Sequence, residues 1–396
     1  MLKTFYVDNF KTHINTTYYL EPINLLVGDN NSGKTNLCQA IRFLSLTSRL
    51  SLINASQEAA SEQWTMANVY LDKPTIDFRA EAEVTHENEP ISFQYELSLR
   101  LLGPSEVRED GSRIILERES LSARADGFAN TSLIRNDRGT VQLLNETKSR
   151  GKQPLYVETH APTDATMLSR LYDLRDNPRA NLFKKYLTSW FYYDLDSQQL
   201  RRPEAKLLDT ALNPDGSNLA SVLFTLKNTD ERLYRKLIEV TKRIEPRLDV
   251  LTFFSPAENQ VFMLGEDSSG HRFGPWSMSN GTLRFIAIAY VLLTVQAYKD
   301  HAVGGLVIIE EPETGLFVGH LKELLSLIDP SGKGQFIFTS HSPYFIDLFD
   351  GMLEGVTVAR RGDRSSTLAP LDVNRVRKQL EQMPLGEMHF RELLAR

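Results

Sequence analysis

The stretch Gly28-Asp29-Asn30-Asn31-Ser32-Gly33-Lys34-Thr35 fits the spacing G-x-x-x-x-G-K-[ST], and its flanks are those the spacing requires. Before it, Ile23 to Val27 is a short apolar run that ends at a glycine, as a buried strand does. After it, Leu37, Ile41 and Leu44 recur four and three residues apart, which predicts a helix with one buried face. A buried strand, a glycine loop and a helix in that order imply an α/β fold with the loop at the carboxyl edge of a parallel sheet. Glycines let successive N–H groups point inward, and the helix N-terminus adds partial positive charge at the same place. Gly28, Asn30, Asn31, Ser32, Gly33, Lys34 and Thr35 are therefore candidate phosphate-binding residues. Lys34 is expected to reach the β- and γ-phosphates, and the Thr35 hydroxyl to be a magnesium ligand.

A second apolar run, Leu306 to Ile309, ends in the adjacent carboxylates Glu310 and Glu311. Neighbouring strand residues point to opposite sides, so the two acids are expected to differ in role. Glu310 is expected to face Thr35 and hold magnesium through water. Glu311 is expected to face the γ-phosphate and orient or deprotonate the attacking water. A third run, Gln335 to Thr339, leads to Ser340 and His341, and His341 is placed to bond the γ-phosphate. Ser279 and Asn280 are N-cap types ahead of an apolar helix from Leu283 to about Ala297. With Gly281 they suggest a second anion site at a helix N-terminus.

The chain has 396 residues, enough for two to three domains. Its net charge of −6 leaves contact with nucleic acid to a local basic patch. A single cysteine, Cys38, excludes an intrachain disulfide and a cysteine-built zinc site, which fits a reducing cytoplasm. Met1 to Phe10 lacks the apolar core of a signal peptide, and the longest apolar stretch, Phe285 to Val295, is too short to span a bilayer. No membrane association is expected. Between about Val69 and Leu144, alternation such as Phe93, Tyr95, Leu97, Leu99, Leu101 predicts antiparallel strands. From about Asp164 to Pro246 helices are expected. Leu233, Leu237, Val240 and Ile244 form one helix face there. The opposite face, with Arg232, Arg235, Lys236, Lys242 and Arg243, reads as solvated because Glu231, Glu239 and Glu245 are interspersed; a nucleic-acid contact is the other reading.

As an ordered set, these motifs resemble the ABC-type ATPase heads of the RecF, SMC and OLD-like group, in particular stand-alone bacterial AAA-family ATPases. Val7-Asp8-Asn9-Phe10-Lys11 looks like the group's first strand, and Asn36 after Thr35 like its P-loop extension. Ser279-Asn280-Gly281-Thr282-Leu283-Arg284 is similar to the signature motif. Glu310-Glu311-Pro312-Glu313-Thr314-Gly315-Leu316 looks like Walker B and D-loop, and Thr339-Ser340-His341-Ser342-Pro343 like the His switch. The stretch from Tyr192-Tyr193-Asp194 to Pro203 also has the group's flavour. The usual Walker B Asp is Glu310 here, a His common after the D-loop is Phe317, and Gln142 and Gln153 are the candidates for the Q-loop glutamine.

The resemblance implies an α/β P-loop head in two lobes with an antiparallel β subdomain and a helical insertion. The expected division is an N-terminal ATPase lobe over 1–165, a helical insertion over 166–249, a C-terminal ATPase lobe over 250–373 and a helix or tail over 374–396. ATP and Mg2+ are the implied cofactors, with Lys34, Glu311 and His341 catalytic, and Thr35 and Glu310 at the metal. Asn36, Ser279, Asn280 and Gly281 join the nucleotide-binding set. By resemblance, Ser279 and Gly281 touch the γ-phosphate of ATP on the opposite subunit. The implied partners are a second copy through ATP-bound heads, a separate effector protein in antiviral defence and, in a RecF-like repair alternative, DNA. Too little chain follows His341 for a Toprim domain.

Overall fold

The computed structural model describes all residues except 61–62, 87–88, 104, 110, 126–129, 150–152, 173–174, 203–208, 256–259, 298–304, 333 and 395–396; Pro203 thus lies outside the described residues. Three sheets form among the residues described. The central one has the order Trp190–Tyr193, Leu306–Glu310, Gln335–Ser340, Ile23–Val27, Val356–Arg361, Ser366–Pro370. Its first five strands are parallel and the last is antiparallel.

Adjacent residues of these strands feed two different cores, as the strand period requires. On one face Leu26, Ile308, Ile337 and Ala359 join the cluster containing helix Lys34–Leu46. On the other, Leu25, Val27, Val307, Ile309, Phe336 and Phe338 join the cluster containing helix Asn280–Ala297. Fully burying one such Leu, Ile, Val or Phe side chain contributes roughly 1.5–3 kcal/mol, so the sheet is held from both sides. Covering on both faces explains why its strands are continuous apolar runs instead of alternating ones.

The second sheet is antiparallel, in the order Thr16–Tyr19, Leu2–Asp8, Thr75–His86, Glu89–Leu101, Ile114–Ala125, Thr131–Asp137, Thr140–Leu144, Tyr156–His160. Phe93, Tyr95, Leu97 and Leu99 turn inward as the alternation predicts. Phe78 of this sheet stacks on Phe43 of helix Lys34–Leu46 with ring centroids 5.3 Å apart, so that helix is sandwiched between the sheets. A small antiparallel sheet, Val250–Phe254 with Phe262–Glu266 and Arg272–Phe273, precedes helix Asn280–Ala297.

Four expectations gain detail. Segment 166–249 does hold helices Pro178–Thr188, Leu219–Thr229 and Glu231–Ile244, but Trp190–Tyr193 between them is an edge strand of the central sheet. The short run Trp190-Phe191-Tyr192-Tyr193 was hidden by its helical neighbours; pairing with Leu306–Ile309 decides its state. The last segment, expected as a helix or tail, holds helices Val373–Gln379 and Leu385–Phe390, which bury Val376, Leu385 and Met388 in the core. The apolar stretch around Phe285–Val295 belongs to an 18-residue helix, the only one among the described residues with the length and apolarity to cross a membrane; most of it is buried inside the protein. The basic face of helix Glu231–Ile244 is salt-bridged: Arg235, Lys242 and Arg243 pair with Glu231, Asp249 and Glu323.

Candidate nucleotide site

Strand register assembles the site. Glu310 pairs with Thr339, Thr339 with Leu26, and Ser340 with Val27. The residues just beyond these pairs, Glu311, His341 and Gly28, therefore emerge together at one carboxyl edge of the sheet.

Gly33 must be glycine. Its φ is 100°, and a Cβ there would lie 2.3 Å from Ser366 Oγ and 2.9 Å from Thr12 Oγ1. The buried His13 supports the same turn by donating from Nε2 to Gly33 O at 2.9 Å. Lys34 Nζ donates to Gly28 O at 2.6 Å and Asp29 O at 3.0 Å, so the ammonium lies curled inside the loop. Burial lowers its pKa, opposed by the nearby Glu311, Glu310 and Asp29. The Ser32 hydroxyl is buried with no hydrogen-bond partner among the described residues. An orphaned hydroxyl beside a loop lysine fits an absent polyanion, since buried polar groups are otherwise paired. Asn30 and Asn31 are exposed at the loop tip, Asn31 in the left-handed conformation. Asn36 turns its amide to Thr12 Oγ1 at 3.0 Å, so it braces the loop behind the site and is not turned to a phosphate.

Glu310 is 6% exposed and accepts hydrogen bonds from Thr35 Oγ1 at 2.6 Å and Tyr192 OH at 2.8 Å. Burial raises its pKa against the effect of those two bonds, with Asp194 and Glu311 adding to the rise. Glu311 is half-exposed and has φ 43°, an uncommon conformation for a non-glycine residue. Its N–H meets Thr339 O and Thr339 Oγ1, both at 3.2 Å. The Arg284 guanidinium donates to the Glu310 and Glu311 carbonyls at 3.2 and 2.9 Å. These contacts hold the backbone turn that directs Glu311 away from Glu310. Its Oε1 lies 3.2 Å from His341 Nδ1. Glu313, which Ser340 Oγ bonds, keeps Oε2 buried without a partner among the described residues, and burial raises its pKa.

The signature residues lie elsewhere. Ser279 caps its helix, its Oγ accepting from Thr282 N at 2.9 Å. Asn280 accepts from Arg201, and both Ser279 and Asn280 are exposed. Gly281 is buried against its own D-loop, where a Cβ would lie 2.3 Å from Gly315 O. Both Q-loop candidates lie toward the far edge of the antiparallel sheet: Gln142, on Thr140–Leu144, bonds Glu158 of the edge strand, and Gln153 is exposed just before that strand. Tyr192, Arg284 and His13 were not singled out as site residues, since each reaches the site only through long-range packing.

A family model described as "AAA domain, putative AbiEii toxin, Type IV TA system" matches residues 23–347, from the P-loop strand past His341. The chain belongs to this family. No curated protein matches this AAA-family chain in sequence. Among solved structures, an Smc head bound to the C-winged helix domain of ScpA aligns with TM-score 0.54 and 14% identity, over 95% of this chain and 99% of that one. The Smc head of Pyrococcus furiosus with an extended coiled coil, bound to the C-terminal domain of ScpA, gives 0.48 at 13% identity, over 96% and 98%. The Thermotoga maritima head gives 0.44 at 12% identity, over 94% and 99%. The AAA-family chain therefore shares the fold of the Smc head.

Proposed function

We propose that the chain hydrolyses ATP and works as an ATP-driven switch between separate and paired heads. The observation that carries this is the 2.6 Å bond from Thr35 to Glu310, which unites the end of the P-loop with the first acid of the carboxylate pair. Lys34 exchanges its two loop carbonyls for the β- and γ-phosphate oxygens. Thr35 and Glu310, both oxygen donors, would hold Mg2+, which when bound neutralises phosphate charge. Glu311 takes a proton from the attacking water, and His341 at 3.2 Å orients that carboxylate. Water oxygen bonds to the γ-phosphorus as the bond to the β–γ bridging oxygen breaks, giving ADP and phosphate.

The exposed Ser279 and Asn280 sit at a helix N-terminus outside the P-loop cleft, a position suited to completing a site on a second copy. A role in antiviral defence with a separate effector is part of this reading; the family's description, "putative AbiEii toxin, Type IV TA system", is compatible with defence and names no effector. The test is phosphate release and ATP affinity of purified protein with Mg2+, wild type against Lys34→Ala. Turnover should vanish and ATP binding weaken at least tenfold in the variant. Wild-type hydrolysis by Lys34→Ala overturns the reading.

A further inference from the structure

The segment 385–394 forms a wall of the cleft beside the P-loop. That cleft measures about 800 Å³ and is also lined by Gly28, Asp29, Asn30, Ser32 and His341. The segment is fixed at both ends. Gly386 N–H donates to Asp347 Oδ1 at 2.7 Å, and its backbone packs so closely that a Cβ would lie 2.1 Å from Pro343 O. Pro343 opens the short helix that directly follows His341 and Ser342, so the segment is docked onto the switch itself. Further on, Arg375 donates to the carbonyls of Leu393 and Leu394 at 3.0 and 3.1 Å, and Leu394 is buried in the core.

Between these anchors His389 lines the cleft, half-buried. No hydrogen bond engages its ring among the described residues. Burial lowers its pKa; Asp29 opposes this, while Lys34 and His341 add to it. Two of the charges that act on His389, Lys34 and His341, are thus residues expected at the terminal phosphates. Arg360 and Arg361, at the end of the strand beside the P-loop strand, line the same cleft and are in no ion pair among the described residues. Only Asp29 and Glu392 contribute opposite charge to the lining. Arg360 and Arg361 thus give this wall of the cleft positive charge beside the ring of His389.

We propose that His389 is a nucleotide-contact residue, donating a ring N–H to the terminal phosphate of a nucleoside triphosphate held in the P-loop. The assignment rests on the ATPase reading above. A neutral histidine carries one ring N–H donor, and a bond from it to phosphate is charge-assisted. The segment is mounted on the helix after His341, so both histidines would approach the same phosphate from one rigid unit.

The test uses full-length protein with Mg2+ and titrates ATP and ADP separately by calorimetry. His389→Ala should raise the ATP Kd by about tenfold, the worth of a hydrogen bond to a charged group, and change the ADP Kd by less than about twofold. His389→Phe, which keeps the ring bulk without the donor, should behave like the alanine variant and covers the case in which that variant does not fold. His389→Gln, which keeps an N–H donor, should recover most of the ATP affinity. Equal ATP affinity in wild type and His389→Phe, or ATP and ADP weakened alike, overturns the assignment while leaving the ATPase reading intact. Wild-type protein that binds no ATP overturns both.

Discussion

Thr35 donates a hydrogen bond of 2.6 Å to Glu310 across 275 residues of sequence. Tyr192 bonds the other carboxylate oxygen, so Glu310 is clamped from both sides inside the protein. The clamp fixes the distance between the helix that begins at Lys34 and the carboxylate edge of the sheet. It also buries a charge, and that cost has a measurable consequence.

Burial raises the Glu310 pKa in the folded chain. Its contribution to stability is complete below the ordinary glutamate value and is lost as the pH rises through the raised value. Glu310→Gln removes the ionisable group while keeping the shape and one acceptor oxygen. Without ligand, the variant should melt at or above the wild type, and the gap should widen as the pH rises above the ordinary glutamate range. Mg2+-dependent ATP turnover should be lost. Thermal melts from that range upward check this; a variant that melts well below the wild type at the upper end shows that the two hydrogen bonds outweigh the desolvation.

Glu311→Gln should separate binding from chemistry. The amide keeps the side chain in the left-handed turn but cannot take a proton. ATP affinity should survive, hydrolysis should fall by roughly 10²- to 10⁴-fold, and the ATP-bound dimer should accumulate. Radiolabelled turnover and sedimentation measure the two effects. Full activity moves the catalytic role elsewhere, first to Glu313, whose Oε2 is buried without a partner among the described residues.

Ser279→Arg tests whether two chains share one site. The residue is exposed and caps Thr282, so the variant loses about 1 kcal/mol of helix capping and gains bulk on that face. ATP binding to the monomer should stay close to wild type, and ATP-dependent dimerisation should disappear. Mixing this variant with Lys34→Ala should restore some turnover, because one composite site then has an intact P-loop and an intact signature. Normal hydrolysis by Ser279→Arg alone at every protein concentration shows instead that the site is complete within one chain.

The sequence alone determined the parts whose chemistry is local. The P-loop is legible because glycine spacing, a preceding apolar strand and a following amphipathic helix all lie within about 25 consecutive residues. The carboxylate pair and His341 are legible for the same reason: a strand buried on both faces must be a continuous apolar run, so the polar residues ending it stand out. The helix cap at Ser279 followed from residue type. Tertiary structure alone decided which of these ends meet. Strand order places Gln335–Ser340 between the P-loop strand and Leu306–Glu310, and the register of those pairings sets Glu310 against Thr35. It also drew Trp190–Tyr193 out of a helical region into the sheet, which is how Tyr192 reaches Glu310. The packing of Gly281 on Gly315 and the bond of Asn36 to Thr12 are likewise contacts that their motifs do not state. A motif states which contacts a residue can make; long-range packing, which no short stretch encodes, selects the partner.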